Sequence, residues 1–389
     1  MTEKLYYTSP DISEWRTDIT KIIEQDSTIL VTLKETAFYP EGGGQPWDLG
    51  TIDGIDVLEV FEADEEVFHK IAKKPLQTSV KCQIDSFRRL EHTQHHTGQH
   101  LLSAVCSELY DVETASFHLG SEYCSIDLTV PFLHEEQLNR IEQRVNYLIY
   151  QDNKVKTYFV DKEKLHAIPL KKWPKAESNI RIVEIQGIDF SACCGTHVKS
   201  IGGIGLIKLL KTEKHKGNIR LYFTCGRRAL ADYKEKHDTL TKLSAALSTS
   251  YSEVESRVAR LEKEKKDLQK QLEEIEVLNA RFHAKQLLEN SPETLVAFVF
   301  QDKNYKECER IAKEAAAITN QVILAATEIE KRIILTHKGN SPFDCGGFFK
   351  EHLKKYYGKG GGNGLSAQAA FPSLENMQNF IQFTVGQLN

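Results

Sequence analysis

The chain has 389 residues, of which 40% are hydrophobic and 27% are charged, a composition typical of a globular protein with two to four domains. The formal net charge of −5 argues against nucleic-acid binding through overall charge, and no apolar run is long enough to cross a bilayer. The N-terminus does not resemble a signal peptide, and the eight cysteines are scattered apart from one adjacent pair. We therefore expect a cytoplasmic protein with free thiols and no membrane partner.

Residues 1–84 are predicted to form a small N-terminal β-barrel. Thr28–Leu33 and Val80–Ile84 are short runs with strand character, and the segment around Asp53–Gly54 indicates a tight hairpin. Several short strands separated by turn signals are typical of such a barrel.

Three consecutive glycines, Gly42, Gly43 and Gly44, stand between Pro40 and Pro46 and cannot belong to a regular element. Glycine serves where a backbone must approach another group closely or adopt a positive φ angle. Two interpretations stay open: a loop that lines a substrate pocket, with these glycines as substrate-binding residues, or an ordinary wide turn.

A helix predicted over residues 88–110 carries histidines whose spacing suits a metal ion. His96 and His100 are one turn apart and can reach one ion, although spacing alone also allows His92 with His96. The segment Cys193–His197 offers a thiolate and an imidazole as a second half-site, and a set of four Cys and His ligands favours zinc. We therefore predict one zinc ion per chain.

Residues 85–235 alternate between predicted helices and strands, which favours an α+β domain. A helix is expected from Glu135 to Tyr150, and Phe117–Gly120 is expected at a turn. Strands are predicted at 114–119, 123–129, 154–160, 180–185, 204–210 and 219–224.

The segment from Arg227 to Ser291 contains neither glycine nor proline, and its apolar residues recur at alternating spacings of three and four. This pattern predicts a coiled-coil linker over residues 236–291, with a break in phase between Leu247 and Tyr251. A single straight helix would extend roughly 100 Å, so the segment is expected to fold back or to pair with a second protomer as a homodimer.

Residues 292–389 are predicted to form a C-terminal α/β domain, with strands at 295–300 and 322–326 around a helix from Tyr305 to Thr319. The glycine-rich segment Gly358–Gly364 contains Lys359 and could receive a phosphate, but it lacks the ending of a P-loop. Local basic clusters that could contact phosphates are Arg88–Arg89, Lys171–Lys172 with Lys175, the segment 208–220, and Lys350 with Lys354–Lys355.

Four stretches together resemble the alanyl-tRNA editing family, in particular its large freestanding members, over essentially the whole chain. They are Phe38–Pro46, His96–Leu102, Cys193–Val198, and Gly360–Gly362 with Ala367–Gln368, the last resembling the glycine-rich end of a DHH-associated domain. The resemblance implies an N-terminal barrel, a zinc editing domain shared with threonyl- and alanyl-tRNA synthetases, a coiled-coil linker, and a C-terminal domain for tRNA binding or dimerisation.

The family pattern places the metal ligands at His96, His100, Cys193 and His197. Cys194 stands where the family often has glycine, so either sulfur is possible by sequence and Cys193 is favoured. By the same resemblance, Thr36 matches a threonine that reads the hydroxyl group of serine. Gln99 and His118 are candidate pocket or proton-handling residues, with a structural role as the alternative for both.

The resemblance implies an aminoacyl-tRNA hydrolase that removes serine, and sometimes glycine, from mischarged tRNA(Ala). No aminoacylation domain and no DHH phosphoesterase motif is expected, so the prediction is a hydrolase and not a ligase. Two alternatives remain: a non-catalytic zinc protein that binds tRNA, and an editing enzyme for another mischarged aminoacyl-tRNA.

Overall fold

The computed structural model of the protein describes residues 2–25, 28–120, 123–174, 178–289 and 294–388. The predicted boundary between residues 291 and 292 lies outside these ranges, as does Lys175 of one basic cluster. The chain forms two compact units, residues 1–242 and 243–389, and the finer division into four domains stays a prediction. Strands and helices are mixed in both units, which confirms the α+β class. None of the described helices has the length and apolar character needed to span a membrane.

The N-terminal part of the first unit is a closed barrel. Its elements are β1 (Glu3–Lys4), α1 (Leu5–Thr8), β2 (Glu14–Gln25), β3 (Thr28–Leu33), β4 (Glu35–Thr36), β5 (Gly50–Ile52), β6 (Ile55–Ala63), β7 (Glu66–Ile71) and β8 (Ser79–Ile84). Six antiparallel strands close in the order β2, β3, β7, β6, β5, β8. Alternate residues of β8, namely Val80, Cys82 and Ile84, are buried. The predicted hairpin is confirmed, because Asp53 and Gly54 both have the positive φ angles that the turn between β5 and β6 requires.

The rest of the first unit packs a long helix against a four-stranded sheet. Its elements are α2 (Ser86–Tyr110), β9 (Thr114–Leu119), β10 (Cys124–Leu128), α3 (Glu135–Gln151), β11 (Val155–Val160), β12 (Ile180–Ile185), β13 (Asp189–Ala192), β14 (Ile207–His215) and β15 (Asn218–Cys225). The sheets have the orders β14-β15-β10-β9 and β11-β12-β13. Leu101, Leu102 and Val105 of α2 are buried with Ile126 and Phe223 of the larger sheet. Short 3₁₀ segments at Lys162–Ala167 and Ile201–Ile204 complete this part.

One sequence expectation in this region is wrong. Phe117 and His118 lie within β9 and not at a turn, because both pair with β10 in regular antiparallel register. The strand β13 was not predicted, and it proves to carry a residue of the site described below.

A buried ion pair joins α2 to the barrel. The guanidinium group of Arg89 donates hydrogen bonds to both carboxylate oxygens of Asp48, and the two side chains are 7% and 0% exposed. The same carboxylate accepts a hydrogen bond of 2.7 Å from the backbone N–H of Tyr39. The sequence had suggested that Arg89 could contact phosphates, but this buried ion pair makes its side chain unavailable to them. It instead fixes the segment from Tyr39 to Asp48, which contains the three glycines, against the helix that carries the histidines.

The second unit contains a mixed five-stranded sheet. The helix α4 (Gly226–Leu247) crosses the boundary between the units and is followed by α5 (Val254–Leu288), β16 (Leu295–Phe300), α6 (Tyr305–Ile318), β17 (Val322–Thr327), β18 (Arg332–Thr336), α7 (Cys345–His352), β19 (Lys359–Gly362), β20 (Ser366–Ala370) and α8 (Leu374–Leu388). The sheet order is β16-β17-β18-β20-β19, with β16 and β17 parallel, as the predicted β-α-β order requires. The glycine-rich segment is not a phosphate loop, because Lys359–Gly362 forms the edge strand β19 and pairs with β20.

The segment predicted as a coiled-coil linker over residues 236–291 contains two helices, the end of α4 and the whole of α5. It is interrupted at Ser248, whose φ angle of 50° ends α4, and α5 begins at Val254 after a 3₁₀ turn at Tyr251–Glu253. This is where the apolar pattern changes phase. Ala280 and Ala284 of α5 are buried in a cluster with residues of α6.

Candidate metal centre

The helix α2 presents His96 and His100 on one face. Asp85 caps the helix by accepting hydrogen bonds from the backbone N–H groups of Phe87 and Arg88, and the helix then runs without a break to Tyr110. Residues four apart lie one above the other on such a helix, and the two imidazole rings have centroids 5.4 Å apart. Both side chains are buried.

The second half-site follows β13. The Sγ atom of Cys193 lies 3.3 Å from Nε2 of His96 and 3.4 Å from Nε2 of His197. The four candidate donor atoms of His96, His100, Cys193 and His197 all lie within 4.8 Å of one another. A sulfur and a nitrogen on a tetrahedral zinc ion are about 3.6 Å apart, as the bond lengths of about 2.3 and 2.05 Å require, so the donors fit this ion.

The sequence left two choices of ligand open, and in each case the structure places one of the two candidates among the clustered donors. His92 does not belong to this group of donors, and His96 pairs with His100. Cys194 is exposed and is not among the clustered donors, whereas the Cys193 sulfur lies between the imidazoles of His96 and His197.

A hydrogen-bond acceptor fixes the Nδ1 atom of each histidine. Nδ1 of His96 is 2.8 Å from Oε1 of Gln45, and Nδ1 of His100 is 3.5 Å from the carboxylate of Asp189. Nδ1 of His197 is 3.2 Å from Oγ1 of Thr97, which itself donates to a backbone carbonyl and so must accept from the imidazole. Each Nδ1 therefore carries a proton, and each Nε2 atom is the ring nitrogen that is directed toward a metal ion.

The buried cluster shifts the pKa values of its members. Burial raises the pKa of the Cys193 thiol, but the nearby imidazoles of His96, His197 and His100 outweigh it and hold the pKa well below its usual range. Burial lowers the pKa of His197 to about 3. At His100 burial also acts to lower the pKa, but hydrogen bonds to Asp189 and Cys193 raise it to about 10. A thiolate and neutral imidazoles are the forms that bind zinc, and the proton on His100 must leave when a metal binds.

The backbone around Cys193 is held close to the helix. Arg181 donates hydrogen bonds of 2.8 and 2.9 Å to the carbonyl groups of Cys193 and Gly195. Gly195 has to be glycine, because a Cβ atom there would lie 2.1 Å from Cε1 of His96. The close approach of this loop to the ring of His96 on α2 thus requires glycine at residue 195.

The three glycines lie beside residues that contact His96. Gly43 and Gly44 have positive φ angles, and the backbone of Gly44 packs against Phe117, whose ring is 5.6 Å from that of His96. Gln45, directly after them, holds His96. The loop therefore adjoins the metal centre, and its role in binding a substrate stays a prediction.

The three predicted catalytic residues do not join the donor cluster. Thr36 is fully buried in the barrel, with Oγ1 2.8 Å from Nε2 of His69. The side-chain amide of Gln99 donates to Oγ of Ser103. His118 is exposed, and because strand residues alternate, it faces away from the side of β9 on which Phe117 contacts His96.

Sequence reasoning missed the residues that position the imidazoles. Gln45 lies in the glycine-rich stretch, whose composition marked it as unusual, but nothing local indicates its partner. Asp189 and Thr97 carry no signal in the sequence, because their role depends on which segments meet.

Two family models match the chain. The second additional domain of threonyl and alanyl tRNA synthetases matches residues 180–222, and the DHHA1 domain matches residues 291–388. The first match includes the half-site with Cys193 and His197. Fold and site thus define the class of protein: a synthetase-type second additional domain with a potential metal centre, joined to a DHHA1 domain.

Similar proteins identify the family. The chain is 31% identical to the alanyl-tRNA editing protein AlaX-L of Pyrococcus horikoshii over 386 residues, which cover 93% of each chain. It is 37% identical to Aarsd1-A of Xenopus laevis, also named an alanyl-tRNA editing protein, over 62% of this chain and 60% of the relative. It is 27% identical to the alanine–tRNA ligase of Pyrococcus furiosus over 100% of this chain and 44% of the ligase. The chain belongs to the alanyl-tRNA editing protein family, whose members are deacylating hydrolases, so the prediction of a hydrolase that is not a ligase is confirmed.

The adjacent cysteines offer a matched test of the metal centre. Cys193→Ser is expected to lower the metal affinity of the full-length protein at least tenfold, because it removes the thiolate among the imidazoles. Cys194→Ser is expected to leave the affinity unchanged. Metal content after dialysis against a competing chelator measures both, and equal retention by the two variants would contradict the assignment of Cys193.

Proposed function

We propose that the protein is a trans-editing hydrolase that deacylates mischarged Ser-tRNA(Ala) at a zinc site, with Gly-tRNA(Ala) as a second substrate. The observation that supports this proposal most directly is the convergence of one thiolate and three Nε2 atoms in a chain of the alanyl-tRNA editing family. Mischarged tRNA(Ala) is the partner that this function requires.

We propose His96, His100, Cys193 and His197 as the zinc ligands. The hydrogen bonds of Nδ1 to Gln45, Asp189 and Thr97 support this assignment, because they leave Nε2 as the atom of each ring that can bind the metal. A bound zinc ion supplies positive charge that can orient the substrate and stabilise negative charge at the ester carbonyl. The protein side chains hold this arrangement in place before the substrate arrives.

The number of donors favours a second candidate function. Four protein ligands complete a tetrahedron, as in structural zinc sites, whereas catalytic sites usually keep one position for water or substrate. The alternative is therefore a non-catalytic zinc protein that binds tRNA. Turnover of an aminoacyl-tRNA by the purified protein distinguishes the two functions.

The full-length, zinc-loaded protein is expected to deacylate Ser-tRNA(Ala) faster than Ala-tRNA(Ala). Replacing both His96 and His100 with alanine should lower the rate by about 100- to 1000-fold, because charge stabilisation at the carbonyl is lost. The exposed His237 on α4 is the matched control, and His237→Ala should retain the rate. Release of the amino acid from a panel of Ser-, Gly- and Ala-tRNA(Ala) measures both effects.

A double variant with the full rate would contradict the proposed metal site. A wild-type protein that retains zinc but releases no amino acid would favour the non-catalytic alternative. Hydrolysis of a different mischarged tRNA, without hydrolysis of Ser-tRNA(Ala), would contradict the proposed substrate.

Thr36 is proposed to read the hydroxyl group of a serine substrate. The Nδ1 atom of His69 is 3.2 Å from the carbonyl oxygen of Val31, and a carbonyl can only accept, so Nδ1 carries the proton. Nε2 of His69 must then accept a hydrogen bond from the Thr36 hydroxyl, and burial supports the neutral ring by lowering the pKa of His69 to about 4. Oγ1 of Thr36 also accepts from the N–H of Phe38, which leaves one lone pair for a further donor.

Thr36→Val keeps the shape of the side chain and removes its oxygen. The ratio of kcat/KM for Ser-tRNA(Ala) to that for Gly-tRNA(Ala) is expected to fall by about 2- to 10-fold, the effect of one hydrogen bond. Steady-state deacylation of the two substrates measures this ratio. Equal losses on both substrates would mean that Thr36 supports the barrel and does not read the hydroxyl group.

We also propose that α5 pairs with α5 of a second copy in a two-stranded coiled coil. Val254, Leu261, Leu268, Ile275 and Phe282 recur at intervals of seven, and Val258 and Leu272 occupy the other apolar position of the repeat. Leu268, Leu272, Ile275 and Phe282 are each 57–63% exposed in the single chain. Polar residues stand at two positions of the seam, Lys265 and Asn279, where they favour one register and one oligomeric state.

Leu268→Glu with Leu272→Glu is expected to convert the proposed dimer to a monomer, because two charges would be buried at the seam. Lys266→Glu with Lys270→Glu is the control. It changes the net charge more than the leucine variant does, but at positions outside the seam, and should leave the dimer intact. Light scattering coupled to gel filtration measures the mass. A monomeric wild-type protein would contradict the coiled coil and would leave tRNA binding as the proposed role of the C-terminal unit.

A further inference from the structure

His92 is not one of the four proposed zinc ligands, and the proposed function gives it no role. It lies one turn before His96 on α2 and is 4% exposed. Its Nδ1 atom is buried and has no hydrogen-bond partner among the described residues. A buried polar atom without a partner is costly. The residue His92 is also one of those that line a cavity of about 410 Å³.

This cavity, which we call the His92 cavity, adjoins the metal centre along three separate segments. On α2, His92 and His96 are about 6 Å apart along the helix axis. On β9, Leu119 lines the cavity and Phe117 contacts His96, two residues and about 7 Å away on the same face. In the glycine-rich segment, Pro46 lines the cavity directly after Gln45, which holds His96. The two sites are therefore neighbours, separated by about one turn of helix.

The charges of the His92 cavity balance. Arg228 forms an ion pair with Glu91, and Asp85 accepts hydrogen bonds from the first turn of α2 beside Arg88. Two arginines and two carboxylates thus line the cavity, with no excess of positive charge for a phosphate group. Burial, together with Arg88 and Arg228, lowers the pKa of His92 to about 3, so the ring is neutral and offers one donor and one acceptor.

An aromatic ring borders the cavity. Phe87 is 63% exposed, and the guanidinium group of Arg227 lies 4.5 Å from its ring centroid. An exposed aromatic ring backed by an arginine is the usual platform on which an unpaired nucleobase stacks. The cavity has no net charge, is bordered by the ring of Phe87 and has the imidazole of His92 in its wall. These features suit a flat, uncharged ring with hydrogen-bond donors and acceptors at its edge.

We propose that the His92 cavity binds the base of the nucleotide that precedes the esterified 3′-terminal nucleotide of the RNA substrate. The proposal rests on the function proposed above, because that function brings an RNA 3′ end to the metal centre. The face of the base stacks on Phe87, and the edge of the base contacts His92. The next nucleotide along the RNA, which is the terminal one and carries the ester, then lies at the metal. The cavity thereby positions the ester without touching the reacting atoms.

The test uses binding of uncharged RNA, which needs no hydrolysis. The probes are a hairpin with a CCA 3′ end and the same hairpin with an abasic site in place of the base before the terminal adenosine. The zinc-loaded full-length protein is expected to bind the intact hairpin about 5- to 100-fold more tightly, the range for stacking of one base. Phe87→Ala should bind both hairpins equally weakly, and His92→Leu should reduce the preference. Fluorescence anisotropy measures the affinity of each of the three proteins for both hairpins.

The exposed Tyr150 on α3 supplies a matched control, because Tyr150→Ala also removes an exposed aromatic ring and should keep the full preference. A wild-type protein that binds the two hairpins equally, or a Phe87→Ala variant that keeps the preference, would overturn the proposal. If the preference depends on Phe87 but no Ser-tRNA(Ala) is hydrolysed, the proposed function fails and the assignment of the cavity stands.

Discussion

One buried side-chain amide joins the three segments that form the candidate metal centre. Oε1 of Gln45 accepts hydrogen bonds from Nδ1 of His96 and from the backbone N–H of Thr196, and Nε2 donates to the hydroxyl of Thr196. Gln45 belongs to the barrel loop, His96 to α2, and Thr196 to the loop after β13. Each bond contributes only about 1 kcal/mol, but a missing partner would leave a buried polar group unsatisfied, so the three segments keep one arrangement. The ion pair between Asp48 and Arg89 holds the same loop three residues after Gln45.

The helix α2 gives its histidines separate roles through their positions alone. His96 and His100 face the thiolate of Cys193. His95, on another face, accepts a hydrogen bond of 3.0 Å from the backbone N–H of Cys225 and thereby ties the helix to β15. His92 lies on the metal face but one turn away, in the wall of the neighbouring cavity. The same residue type thus serves packing, the proposed coordination of zinc and the proposed recognition of a base.

Periodicity and turn chemistry were sufficient for much of the fold. The hairpin at Asp53–Gly54, the helix α3 and the first two strands of the C-terminal sheet follow from local patterns. The pair His96 and His100 followed from the family resemblance, because helical spacing alone allowed His92 equally well. The local sequence could not reveal Gln45 or Asp189 as partners of these histidines, since hydrogen bonds between distant segments leave no periodic signal. The edge strand at Lys359–Gly362 was missed for a related reason: its glycines are poor strand formers, and pairing with β20 overrides that preference.

The central claim is that one sulfur and three imidazole nitrogens converge on a single zinc ion. X-ray absorption at the zinc edge of the loaded, full-length protein tests it most directly. The proposed ligand set predicts one sulfur at about 2.3 Å and three nitrogens at about 2.0–2.1 Å, with the sulfur contribution lost in Cys193→Ser. A first shell without sulfur, or one with two sulfurs, would contradict the account.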